Sequence, residues 1–185
     1  MRLRALFGLA AATALVAGAC GNSPEPPRAP RIPVSAVPRS IDVAGLSLTM
    51  QPSAPGDVRR AFRSVGPASL VDDGQVWELR QGDRLVGLLQ LATIGRRADT
   101  RKESDRRDMR RQILVGEPTE LDFSGVPVYQ TTDGALSVFV WFGRQLLGTL
   151  TVKGVDADAV SNALVTQILQ SDSWPNLPPD AFLED

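Results

Sequence analysis

Hydrophobic and polar positions along this chain sort into short runs of two periods, and the runs predict the elements. Residues 46–50 alternate apolar and polar side chains as a short strand does, and Pro52, Pro55 and Gly56 end the run. Val58, Ala61, Phe62 and Val65 then fall at i, i+3, i+4 and i+7, with Asp57 in the first turn and Gly66-Pro67 as the stop, which predicts a core-facing helix. Residues 75–80 read as a strand with Trp77 and Leu79 on one face, and Gln81-Gly82-Asp83 turns the chain into residues 85–94. Both alternating sets of that second strand are mainly apolar, so it is expected at the centre of a sheet and covered on both faces.

Residues 100–115 are strongly charged but place Met109, Ile113 and Leu114 at helical spacing, and Gly116 with Pro118 ends the helix. Three strands follow at 121–132, 135–142 and 146–152. Asp133-Gly134 and Gly143-Arg144-Gln145 are the turns between them. Asp156 caps a last helix whose Val160, Ala163, Leu164 and Ile168 face the sheet, with Asp158 in its first turn. The order β-α-β-β-α-β-β-β-α belongs to the α+β class: an antiparallel sheet of about five to six strands packed with two to three helices.

The first residues follow another pattern. Arg2 and Arg4 precede fifteen residues, 5–19, that are apolar apart from Thr13, and Ala17-Gly18-Ala19 leads to Cys20, the only cysteine. The run is too short to span a bilayer and reads as a cleaved secretion signal. It resembles the bacterial lipoprotein lipobox, which implies cleavage between Ala19 and Cys20 and a diacylglycerol on the Cys20 thiol. That would anchor the protein to the outer, extracytoplasmic face of the cell membrane. Ala17 stands where the lipobox usually has Leu, Val or Ile, and Ala17-x-Ala19 is also an ordinary signal-peptidase site, so free secretion is the alternative.

Six prolines between Pro24 and Pro38 leave little to bury, and that stretch reads as a disordered tether. The expected organisation is a signal peptide at 1–19, lipidated cysteine and tether at 20–39, a single α+β domain at 40–172 and a proline-rich acidic tail at 173–185. Only Lys102 and Lys153 are lysine among 20 basic residues. Such arginine-rich composition fits a high-GC genome of the actinobacterial type. The residues 123–129, Phe-Ser-Gly-Val-Pro-Val-Tyr, entering a hairpin, and the final helix after Lys153-Gly154-Val155-Asp156 look like small actinobacterial lipoproteins with a Mog1/PsbP-like fold, over about residues 43–171. That resemblance implies an interaction module and names no ligand.

Charge and chemistry narrow the function. The chain carries 20 basic and 21 acidic residues, so no nucleic-acid bias is visible. Within it, Arg96, Arg97, Arg101, Lys102, Arg106, Arg107, Arg110 and Arg111 face only Asp99, Glu103, Asp105 and Asp108. Arg106, Arg107, Arg110 and Arg111 are the candidate contact with an anionic surface or partner; the simpler reading is a solvated helix with internal ion pairs. Trp77, Tyr129, Phe139 and Trp141 could line an apolar ligand cavity or belong to the core, and Trp174 is expected to pin the tail to the domain. There is no histidine, and one cysteine is assigned to lipid, so the usual base, thiol nucleophile and metal ligands are missing. Asp72-Asp73 beside Gly74 reads as a turn. No catalytic residue, metal site or cofactor is expected. The sequence therefore points to a non-catalytic binding or adaptor module of the envelope, partnered by membrane lipid through Cys20 and by an envelope protein or lipid. A carrier of envelope lipid is the alternative, and a hydrolase is more remote.

Overall fold

The computed structural model describes residues 31–54 and 69–177. The predicted helix around Val58–Val65, the Cys20 anchor and the end of the tail lie outside the described residues. Within them one antiparallel sheet of eight strands forms in the order β1-β2-β3-β4-β8-β7-β6-β5. The strands are β1 (Ser40–Val43), β2 (Leu46–Pro52), β3 (Val71–Gln81), β4 (Arg84–Ile94), β5 (Thr119–Phe123), β6 (Val126–Asp133), β7 (Leu136–Gly143) and β8 (Leu146–Lys153). Two helices accompany them, α1 (Glu103–Ile113) and α2 (Ala157–Leu169). The α+β class is as expected, but the strand count of five to six is corrected to eight.

The two added strands are the short edges of the sheet. β1 is joined to β2 by Ala44-Gly45, and β5 to β6 by Ser124-Gly125, both with two successive positive φ angles. Such a turn favours Asn, Asp or Gly at its first position. Ala and Ser there hide it, and the expected strand at 121–132 becomes a hairpin. Asp72-Asp73-Gly74 is a second correction: it lies inside β3 at a shift of register against β4 and is not a turn.

The topology is two four-stranded meanders laid side by side. Residues up to 94 build one half of the sheet, residues from 119 build the other, and β4 pairs with β8 at the seam. β4 is thus the central strand that its unbroken apolar run predicts.

Strand alternation then sends side chains to two faces. Across the α2 face, Trp77 stands opposite Leu89, Leu89 opposite Leu150, and Leu150 opposite Phe139, forming one apolar row over four strands. α2 closes this row with Val160, Leu164, Val165, Ile168 and Leu169, all buried. Asp156 caps the helix by accepting a hydrogen bond from Ala159 N at 3.0 Å, as its position predicts. Trp141 occupies the same face beside Gly148, where any Cβ would collide with the indole. Trp174 packs 6.3 Å from Trp141 between ring centroids and holds the start of the tail, with Pro175 O accepting from Arg144 N.

On the opposite face a smaller cluster of Ala92, Ile94, Val140, Phe142 and Leu147 is covered by α1 through Met109 and Leu114.

Candidate functional site

α1 is mostly charged and buries few apolar groups, so its position depends on polar contacts made around it. The loop before it, residues 95–102, is tied to the β7–β8 turn by Gln145. This residue has a φ of 54°, a left-handed conformation that costs a non-glycine residue about 1 kcal/mol. Its buried side chain compensates: Oε1 accepts from Thr100 N at 3.0 Å and Nε2 donates to Ala98 O at 3.0 Å, while Gln145 N donates to Thr100 Oγ1 at 2.8 Å.

The start of α1 has no side-chain cap at Lys102. Side-chain bonds fix the loop that enters it instead. Asp99 N donates to Asp105 Oδ2 at 2.7 Å, and the Asp99 carboxylate accepts from Arg101 N and from its guanidinium Nη2 at 2.7 Å. The hydrogen bond from the Arg101 side chain holds the Asp99 carboxyl below its ordinary range, against the opposing effect of burial.

Arg106 completes the lock. Its side chain is 2% exposed, and Nη1 donates to Thr100 O at 2.7 Å and Arg101 O at 3.0 Å. Its Nη2 lies 2.9 Å from Glu103 Oε2. Arg110 Nη2 reaches the other Glu103 oxygen at 2.6 Å, and the Arg110 guanidinium carbon stacks 3.9 Å above the centre of the Tyr129 ring. Burial pushes the Glu103 carboxyl up, but the hydrogen bond and charge of Arg110, with the charge of Arg106, outweigh it and hold the carboxyl below its usual range. Burial pushes the Tyr129 phenol up, and the Arg110 charge offsets this only in part.

The other end of α1 is different. Leu114 N caps back to Arg110 O, Gly116 turns at a φ of 83°, and Pro118 leads into β5. These residues border a cleft of about 290 Å³ lined by Arg107, Arg110, Arg111, Leu114, Glu117 and Pro118. Arg107 and Arg111 are exposed, and Arg111 approaches Asp108 only at 4.0 Å. Arg110 retains one buried nitrogen, Nη1, without a hydrogen-bond partner. Val115, beside the cleft, is 84% exposed.

The four predicted arginines therefore divide. Arg107, Arg110 and Arg111 meet at one cleft, while Arg106 is corrected: it is buried and spent on the fold, and cannot touch a surface. Glu103 serves Arg106 one turn on and Arg110 two turns on, along one face of the helix. A charged residue facing inward from a polar run leaves no hydropathy signal. Gly116-x-Pro118 marks the helix end, but nothing in its pattern flags Val115 as exposed.

The aromatic quartet splits as well. Trp77, Phe139 and Trp141 are core side chains of the α2 face, whereas Tyr129 lies across the sheet beneath Arg110. Trp77 also floors an open groove of about 750 Å³ bordered by Val34, Val37, Arg39, Met50 and Pro52. Among the described residues, no three His, Cys, Asp or Glu gather as a metal site, and no helix is long and apolar enough to cross a membrane. No protein-family model, curated protein or solved structure matches this chain.

Proposed function

We propose that the protein is a lipid-anchored binding module of the cell envelope, held at the extracytoplasmic face of the membrane by acylation of Cys20. It acts by presenting a rigid surface rather than by chemistry. The observation that carries this reading is the division of labour among the arginines of α1. Arg106 fixes the helix in place, and Arg107 and Arg111 stand exposed at a cleft, Arg111 with Asp108 4.0 Å away. Preorganised cations on a fixed element suit recognition of an anionic partner. The sequence of the leader, with Cys20 after Ala19, supports the anchor.

The perturbed titrating groups, Asp99, Glu103 and Tyr129, fit the same reading because each is explained by the contacts that seat α1. Metabolic labelling with a palmitate analogue tests the anchor: the parent chain should take up label and sediment with membranes, and Cys20→Ser should do neither. An unlabelled parent that behaves like the variant would sink the anchor and leave a secreted protein.

A second reading, carriage of an envelope lipid, is favoured by the groove beside Trp77, whose volume lies within the range of ligand sites. Mass spectrometry of organic extracts from the purified protein separates the two, since a carrier retains lipid through purification.

A further inference from the structure

We infer that the C-terminal corner of α1 is a second membrane contact, at which Arg107 and Arg111 meet anionic phospholipid headgroups and Val115 dips among them. The inference rests on the anchored-module reading and names the partner of its arginine cleft.

Two independent features converge there. Residues 96–111 carry eight basic side chains against four acidic ones; Arg106 and Arg110 are tied to Glu103, and of the arginines at the cleft Arg107 and Arg111 are left exposed. Next to them Val115 is, among the described residues, the most exposed of the large apolar side chains, at 84%. A soluble polyanion would use the cations and ignore the valine. A bilayer surface uses both, with charge at the headgroups and an apolar tip below them.

Opposing charges limit the strength of this contact. Glu117 lies on the cleft, Glu120 and Asp122 are exposed on β5, and the end of the helix dipole contributes roughly half a negative charge. The contact need not be strong. An anchored domain meets its own membrane at an effective concentration in the millimolar range, so a weak second contact suffices to orient it.

The test uses the processed protein purified from membranes and reconstituted into vesicles of phosphatidylcholine, with or without phosphatidylglycerol. Val115→Cys carries an environment-sensitive dye, which attaches at 115 alone if Cys20 is acylated. In phosphatidylglycerol vesicles the dye should shift to the blue and be quenched by a lipid-borne quencher, and in phosphatidylcholine it should remain in water. Adding Arg107→Gln and Arg111→Gln should lower the docked-to-free ratio about tenfold to thirtyfold, at about 1 kcal/mol for each arginine. Both arginines are exposed, so the melting temperature should not move.

A dye that stays in water on anionic vesicles, or that docks equally well without the two arginines, overturns the proposal. So does inorganic polyphosphate binding through the arginines while the dye remains in water on anionic vesicles, which would make a soluble polyanion the ligand. If dye also attaches at residue 20 and the protein leaves the membrane fraction, the anchor reading has failed. Cys20→Ser combined with Val115→Cys then carries the dye at 115 alone, and its blue shift on added phosphatidylglycerol vesicles, lost with Arg107→Gln and Arg111→Gln, tests the corner independently of the anchor.

Discussion

The sheet has one face closed by apolar packing and the other closed by charge, and the two leave different residues over. On the α2 face the row from Trp77 to Phe139 meets five buried aliphatic side chains of the helix, and Trp141 and Trp174 fill the end of the layer. Each such side chain contributes about 1.5–3 kcal/mol by burial. On the α1 face the helix brings Met109 as its fully buried apolar residue, and the balance comes from Arg106, Glu103, Asp99 and Gln145. Apolar packing consumes every group it touches. A charged helix is held by part of its charges, and the rest are free to face a partner. That is why the candidate site lies on the α1 side.

By this contrast, the largest cost comes from the apolar α2 face. Trp141→Ala should destabilise the protein by about 4 kcal/mol in urea unfolding, since it leaves a cavity beside Gly148 that the β7–β8 backbone cannot close. The loss should be the same at neutral and acid pH, because no proton is exchanged. A cost below about 1.5 kcal/mol, less than burying one aliphatic side chain there yields, would break the comparison.

Arg106→Met should cost somewhat less, about 3 kcal/mol, by stranding the Thr100 and Arg101 carbonyls and leaving Glu103 with Arg110 alone. The effect should be local. Hydrogen exchange at the Thr100 and Gln145 amides should accelerate more than at Leu150, in the centre of the sheet. Uniform acceleration would mean that the two faces open as one unit.

These two sites also mark what the sequence makes legible. The central strand, the meander after Asp133-Gly134 and the capped α2 follow from hydrophobic period and turn chemistry, because on those elements one face is apolar and the period is visible. The edge strands do not, since Ala44 and Ser124 occupy left-handed positions that a reader expects Asn, Asp or Gly to fill. Of the candidate site, the arginine run and the helix end at Gly116 are evident in the sequence. The inward turn of Arg106 is not, because its partners are backbone carbonyls, which have no residue type. Gln145 is hidden for the same reason: a glutamine in a turn looks exposed until the loop from Ala98 folds over it.

The smallest effect is the one that separates the faces by pH. Asp99 and Glu103 titrate in the native state below their ordinary values of 3.8 and 4.5. A depressed carboxyl contributes stability that is fully present above its unfolded value and is lost as pH falls through the folded one. Stability should therefore hold steady down to about pH 5 and decline below it. Tyr129 has the opposite sign, since its raised value makes a contribution that is complete below 10.0 and lost as pH rises beyond it. The α1 face should loosen at both extremes. Asp99→Asn keeps the side chain's shape but loses the charge that faces Arg101, at a cost of about 1–2 kcal/mol at neutral pH, discounted because Arg101 is partly exposed. Melting curves between neutral pH and about pH 3 should then show a shallower acid slope for Asp99→Asn than for the parent. Trp141→Ala should retain the parent slope in full. If Asp99→Asn and the parent lose stability in parallel as the pH falls, the charge around α1 does not hold that face, and its packing must be sought in Met109 and Leu114 instead.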